Sequence, residues 1–417
     1  MLGIPSFYLT VPDQNHSISS DYQRFCASFH PYLFNKTKVC TISPILVVLQ
    51  QYELPLHIQL NSMTIPKFSN GSASFHAELK RRINEYFKQT GTASTGNYKL
   101  YLKAIFLVTT YLALYTHLVF FTPVTWLAIT ECIVLGGLTA AIGFNVMHDG
   151  MHGSFSKKKW VNQLAGLSLN FLGANNFMWK TKHNIVHHTY TNVQGVDDDI
   201  EARPFLRLCD QQKFYKIHRY QHWYFWAAYS LLYLWWVLVT DYKKYFTKRV
   251  GPTPIGKMSL GDHLSFWGFK ILHAFMFIAL PIYMLGFQAW LIGFLPFALF
   301  AGFVLSIVFQ LAHTVEDTEF PVANIATNKI EDEWAIHQLK TTANFATRNR
   351  FISWWVGGLN FQIEHHLFPR ISHVHYPAIS KIIRKACNDF GIPYIEYPRM
   401  RLAVASHISH LKSLSRK

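Results

Sequence analysis

Charge is scarce in this chain. Of its 417 residues, 15% are charged, against roughly 25% in an ordinary soluble domain. Cysteine is scarce too: Cys26, Cys40, Cys132, Cys209 and Cys387 are odd in number and form no CxxC pair. That excludes a disulfide framework and a thiolate zinc module, and fits a reducing compartment on at least one side. There is no internal repeat and no low-complexity segment. The start lacks a basic stretch followed by an apolar core, so no cleavable signal peptide is expected. What is abundant is apolar and aromatic, at 50% and 16% of residues. A disordered, collagenous or charged nucleic-acid-binding arm is thereby excluded. There are 22 histidines, and 39 Lys plus Arg against 23 Asp plus Glu leave a net charge of +16. Such a basic, histidine-rich, charge-poor chain points to a membrane.

Crossing a hydrocarbon core roughly 30 Å thick takes about 20 apolar residues. Tyr101–Phe121 and Val124–Met147 meet that length, joined by Phe121-Thr122-Pro123. Leu264–Leu285 and Ala289–Ala312 form a second pair, joined around Gly286-Phe287-Gln288. Neither joining turn carries Lys or Arg, whereas Lys157, Lys158, Lys159, Lys180, Lys182, Lys243, Lys244, Arg348, Arg350 and Lys381 fill the other segments. The positive-inside rule puts those segments in the cytoplasm and the two turns outside. Val161–Met178 and Trp223–Thr240 are ambiguous. They are expected to be interfacial helices, with Trp223, Trp226, Trp235 and Trp236 at headgroup depth. The expected fold is an all-α integral membrane protein: four transmembrane helices in two hairpins, interfacial helices and a cytoplasmic cap.

Residues 1–62 carry Arg24, Lys36 and Lys38 against Asp13, Asp21 and Glu53, so all the net charge lies beyond them. They are expected to be an extension upstream of a start at Met63, an authentic leader being equally open. After Met63, Ser74 is placed to cap a helix with Phe75, Leu79, Ile83 and Tyr86 on one face. Residues 63–400 are expected to form the membrane domain, followed by a basic tail over 401–417.

The histidines fall into clusters. His148-Asp149-Gly150-Met151-His152 follows the second crossing, its i, i+4 spacing putting both imidazoles on one helix face, about 5–6 Å apart. His183-Asn184-Ile185-Val186-His187-His188 repeats that spacing and adds an adjacent ring. Gln362-Ile363-Glu364-His365-His366 is the third, and His313 closes the fourth crossing after Gln310. All four lie at the membrane–cytoplasm boundary only if 161–178 does not cross, which is the topology the lysines also prefer. Eight histidines with Gln362 suffice for two metals of about five- or six-fold coordination, and exceed the four ligands of a structural zinc site. Imidazole suits zinc, copper and iron alike, so ligand type does not name the metal. Asp149, Asp197, Asp198, Asp199, Glu316, Asp317 and Glu364 gather near the histidines and are candidate partners for the outer ring nitrogens.

In the order and spacing of these clusters, with the added His313, residues 63–400 resemble the membrane fatty acid desaturase family. The stretch Phe361-Gln362-Ile363-Glu364-His365-His366-Leu367-Phe368-Pro369 resembles its front-end subgroup, which includes bacterial acyl-CoA and acyl-lipid desaturases. The resemblance implies ligation of two irons by His148, His152, His183, His187, His188, His313, His365 and His366. Gln362 stands where relatives outside the subgroup place a histidine ligand, and Gln310 is a candidate to hold a metal-bound water. O2 is the implied co-substrate and an acyl chain on CoA or lipid the substrate, with a new cis bond on the carboxyl side of an existing one, at carbon 6. Many relatives carry a fused cytochrome b5 with an HPGG haem motif. No HPGG occurs here, so the implied electron donor is a separate protein of cytochrome b5 or ferredoxin type. Trp179 is a candidate wall of the acyl tunnel. Competing readings are a hydroxylase or ketolase on the same scaffold and, more remotely, a metal transporter. The last would place ionisable groups at mid-membrane, whereas Glu131 is the only acid within a crossing. Nucleic acid is not an expected partner, because the basic residues flank membrane segments and suit lipid headgroups or the phosphates of coenzyme A.

Overall fold

The computed structural model describes residues 65–69 and 74–416. The expected extension over 1–62 and the side chain of Ser74 lie outside the described residues. Helix α1, Ser74–Thr90, buries Phe75, Leu79 and Ile83, with Tyr86 packed at the margin of the same cluster. Helix α2, Tyr98–Phe121, starts where Asn97 Oδ1 accepts from the backbone of Lys99 and Leu100, occupying two of the donors every helix start leaves free. Helix α3 is Thr125–His152, α4 is Lys159–Phe171, and α5 covers 176–190. Helix α6, Gln221–Ser230, is offset at Leu231 from α7, which covers 232–247. Helix α8, Leu260–Leu285, opens on a reciprocal Ser259–Asp262 capping box and is followed after Gly286 by α9, Phe287–His313.

The remaining helices are short. They are α10, Trp334–Lys340; α11, Arg350–Trp355; α12, Gln362–Leu367; α13, Tyr376–Phe390; and α14, Met400–Ser413. Strand pairing among the described residues is limited to two-residue contacts, such as Asn344–Phe345 running parallel to Glu396–Tyr397.

Among the described residues, four helices are long and apolar enough to cross a membrane: α2, α3, α8 and α9. The two ambiguous stretches form the shorter helices α4 to α7. The four long helices differ in burial. Helices α2 and α8 are largely exposed, whereas α3 is mostly buried and α9 lies between them. The helices that end on histidines are therefore the inner ones. They approach closely because Gly136 has no Cβ, which would otherwise overlap the Phe297 carbonyl. Leu135, Leu138, Ala298, Ala301 and Leu305 fill the core around that contact. Trp223, Trp226 and Trp235 are exposed, whereas Trp236 turns inward and donates its ring N–H to Asp241 at 3.1 Å. The basic stretch 401–417 holds all but the first residue of α14, which buries Ala403, His407 and Leu411.

Candidate metal centre

The first histidine cluster closes α3. Between Gly143 and Met147 this helix widens into π-type turns, then returns to α geometry over His148–His152. Such widened turns occur mostly at functional sites. Gly150 has a packing role. A Cβ there would lie 2.7 Å from Ala165 Cβ and from the Gly166 nitrogen, so its absence lets α4 lie directly against the cluster. In α5 the stretch Lys180–His187 is also π-type. With i→i+5 bonding, residues five apart come onto one face, as those four apart do in an α-helix. His183 therefore faces both His187 and His188, its ring centroid 5.3 Å and 4.7 Å from theirs.

The imidazoles form two groups. Ring nitrogens of His148, His152, His183 and His365 lie within 4.8 Å of one another, and those of His187, His313 and His366 do the same. His188 stands between the groups, its ring centroid 4.5 Å from both His365 and His366. The Nε2 atoms of His152, His187, His313, His365 and His366 are buried without a hydrogen-bond partner among the described residues. An unpaired buried polar atom costs about 1–3 kcal/mol, so several converging imidazole nitrogens form a donor set that cations satisfy.

Four of the outer ring nitrogens are engaged. His187 Nδ1 lies 3.0 Å from Asp197 Oδ2, and His313 Nδ1 lies 3.2 Å from the Thr341 carbonyl. His365 Nδ1 lies 3.2 Å from the Tyr376 hydroxyl, and His366 Nδ1 lies 2.8 Å from Gln338 Oε1. A proton held on Nδ1 turns the Nε2 lone pair inward, as metal-bound histidines require. Burial drives His183, His188, His365 and His366 well below the usual imidazole pKa, which favours the neutral ligand form. Burial acts the same way on His187, but the Asp197 carboxylate outweighs it and raises the value. Asp199 also lies near His183 and His187, yet its carboxylate is engaged by Lys182 at 2.6 Å. The donor set fits a pair of metal ions.

Apart from Asp197 and Asp199, the residues expected to orient the histidines have other partners. Asp149 accepts from the Ser372 hydroxyl at 2.7 Å and lies 3.0 Å from His373 Nδ1, tying the first cluster to the chain after the third. Asp198 pairs with Lys244 at 2.8 Å. Glu316 and Asp317 accept from Ser409 and Tyr397. Glu364 is buried and accepts from Asn344 and Tyr394, both at 2.8 Å; burial raises its pKa to about 7 against those bonds. Gln310 Oε1 accepts from Thr314 at 2.9 Å. Gln362 is buried. Nearness in sequence does not aim a carboxylate. Asp197 lay within the acidic run that sequence reasoning singled out, whereas Gln338, Thr341 and Tyr376 follow no local pattern and were missed.

An apolar slot opens beside His148, walled by Met147, Leu169, Trp179, Tyr233, Trp236 and Phe309 among others. Trp179, expected as a tunnel wall, is buried and stacked on His183 with ring centroids 4.3 Å apart.

Membrane-length helices, a buried double group of histidines and an apolar slot beside it define a membrane protein of the histidine-box type. The chain belongs to the fatty acid desaturase family, which matches residues 124–398, and it is a desaturase of the front-end type. It is 37% identical over 346 residues to the sn-1 linoleoyl-lipid 6-desaturase of Arthrospira platensis, covering 82% of this chain and 93% of that one. The sn-1 linoleoyl-lipid 6-desaturase of Synechocystis sp. is 35% identical over 350 residues, covering 82% and 96%. The acyl-lipid (8-3)-desaturase of Physcomitrium patens is 35% identical over 346 residues, covering 82% and 71%.

Proposed function

We propose that this chain is an O2-dependent acyl-lipid desaturase whose two histidine groups hold a pair of irons. It inserts a cis bond at carbon 6 of an acyl chain already unsaturated further on. The observation that carries the reading is the convergence of unpaired, buried Nε2 atoms beside the slot. When bound, the irons with O2 and external electrons supply the oxidant that an unactivated methylene C–H bond requires. The chain's own residues bind and orient. The slot walls hold an extended acyl chain against His148 and exclude water, which supplies the positioning component of catalysis. Trp179 keeps the His183 ring in place from the slot side.

In this reading α2–α3 and α8–α9 are two membrane hairpins, and the histidine groups face the cytoplasm. A separate protein of cytochrome b5 or ferredoxin type delivers electrons there. A basic face holding the head group at fixed depth makes the enzyme count from the carboxyl end. A lipid-bound substrate and carbon 6 are supported by the names of two similar proteins, the 6-desaturases of Arthrospira and Synechocystis.

Expression in a host lacking polyunsaturated fatty acids and fed linoleate, with double bonds located by mass spectrometry, tests the proposal. A new cis bond at carbon 6 is expected, retained at that distance from the carboxyl end when the fed chain is two carbons longer. His365→Ala is expected to abolish the product while still inserting into the membrane. A bond at constant distance from the methyl end, or only hydroxylated or keto products, overturns the front-end desaturase reading.

A further inference from the structure

Helix α10 stands behind the metal centre and reaches it through Gln338. This glutamine is fully buried. Its Oε1 lies 2.9 Å from the Thr191 hydroxyl oxygen and 2.8 Å from His366 Nδ1, and its Nε2 is buried without a partner among the described residues. Thr191 Oγ1 is also 2.7 Å from the His187 carbonyl oxygen and 3.3 Å from His366 Nδ1. One amide oxygen thus joins the second histidine cluster to the third, at the His187–His313–His366 group. A cation bound at His366 Nε2 fixes the protonation. His366 Nε2 is buried, unpaired and among the ring nitrogens of the group; with a cation on Nε2 the ring proton sits on Nδ1, and Nδ1–H needs an acceptor. A reversed amide would set N–H against N–H.

We propose that Gln338 is a positioning residue for one of the two metal ions. It fixes His366 in the Nδ1–H form and locks the two clusters in register, while the His148–His152–His183–His365 group is built without it. This rests on the two-metal reading above and assigns a residue that lies outside every histidine cluster. Outer partners of metal-bound histidines typically contribute 10- to 100-fold in metal affinity, and the effect here falls on one ion of the pair.

The test uses the full chain purified in detergent, stripped with chelator and titrated anaerobically with Co(II), read by visible absorption and by metal analysis. Wild type is expected to bind about two ions. Gln338→Leu is expected to bind one ion normally and the other 10- to 100-fold more weakly, with desaturation lost. Gln338→Glu, which keeps the acceptor, is expected to restore two-ion binding. One ion still bound at wild-type affinity in Gln338→Leu separates positioning from a folding defect, which would weaken both. If Gln338→Leu does not accumulate, Thr191→Val keeps the volume, removes the hydroxyl that lies between the His187 carbonyl and Oε1, and should weaken the same ion several-fold. Two full-affinity ions in Gln338→Leu, or in Thr191→Val where the former is lost, overturn the role of Gln338. A wild-type chain that binds no metal overturns the two-metal reading itself, and this inference with it.

Discussion

Three successive acids meet three different environments around the second histidine cluster. Asp197 is buried and receives His187 Nδ1 at 3.0 Å and the Asn192 amide at 2.9 Å on one oxygen, and the Asp199 amide at 3.0 Å on the other. Asp198 serves Lys244, and Asp199 serves Lys182 at 2.6 Å while its other oxygen lies 3.4 Å from His187 Nδ1. With a donor at each oxygen, Asp197→Asn forces an N–H against another donor. A 10- to 100-fold loss of metal affinity is expected, measured by competition with a chelator. Asp198→Asn, one residue on, should change that affinity less than twofold. Equal effects in the two variants would remove Asp197 from the support of His187. The histidines themselves were legible in the sequence because i, i+4 spacing is local geometry. Which of the three acids faces His187 was not, because the turn from Tyr190 to Asp197 aims them.

Helix geometry does work at the site that residue type alone does not reveal. The π-type stretch Lys180–His187 brings His183, His187 and His188 onto one side, where a regular α-helix would turn one away. The close seat of α4 on the first cluster depends on Gly150. Gly150→Leu should push α4 outward and displace His148 and His152, destabilising the protein by about 1–3 kcal/mol through overpacking. The expected readout is a lower thermal midpoint together with reduced metal content. A wild-type midpoint with full metal loading would show that α4 can move aside freely. The long apolar runs foretold α2, α3, α8 and α9 to within a few residues at each end, because length and hydropathy are additive along the chain. The inward turn of Trp236, away from its three exposed neighbours, was not foretold, because it follows from a bond to Asp241.

Across the molecule, the histidine-bearing helices α3 and α9 are inner, and α2 and α8 present apolar side chains such as Phe106, Leu112, Leu264 and Ile271 outward. The two-hairpin topology predicts that cysteines placed at Val124 and Gln288 react with an impermeant maleimide from outside intact spheroplasts. Cysteines at Lys158 and Lys257 should react only after permeabilisation. Labelling of all four from one side would refute the arrangement. The sequence by itself determined the helical class, the long apolar segments and the identity of the histidines, since each follows from composition or short-range periodicity. Only the tertiary structure decided that the histidines divide into two groups and which partners hold their outer nitrogens. Thr341, Gln338 and Tyr376 lie 28, 28 and 11 residues from the histidines they serve. Contacts over such separations are made by packing, and no local pattern in the chain encodes them.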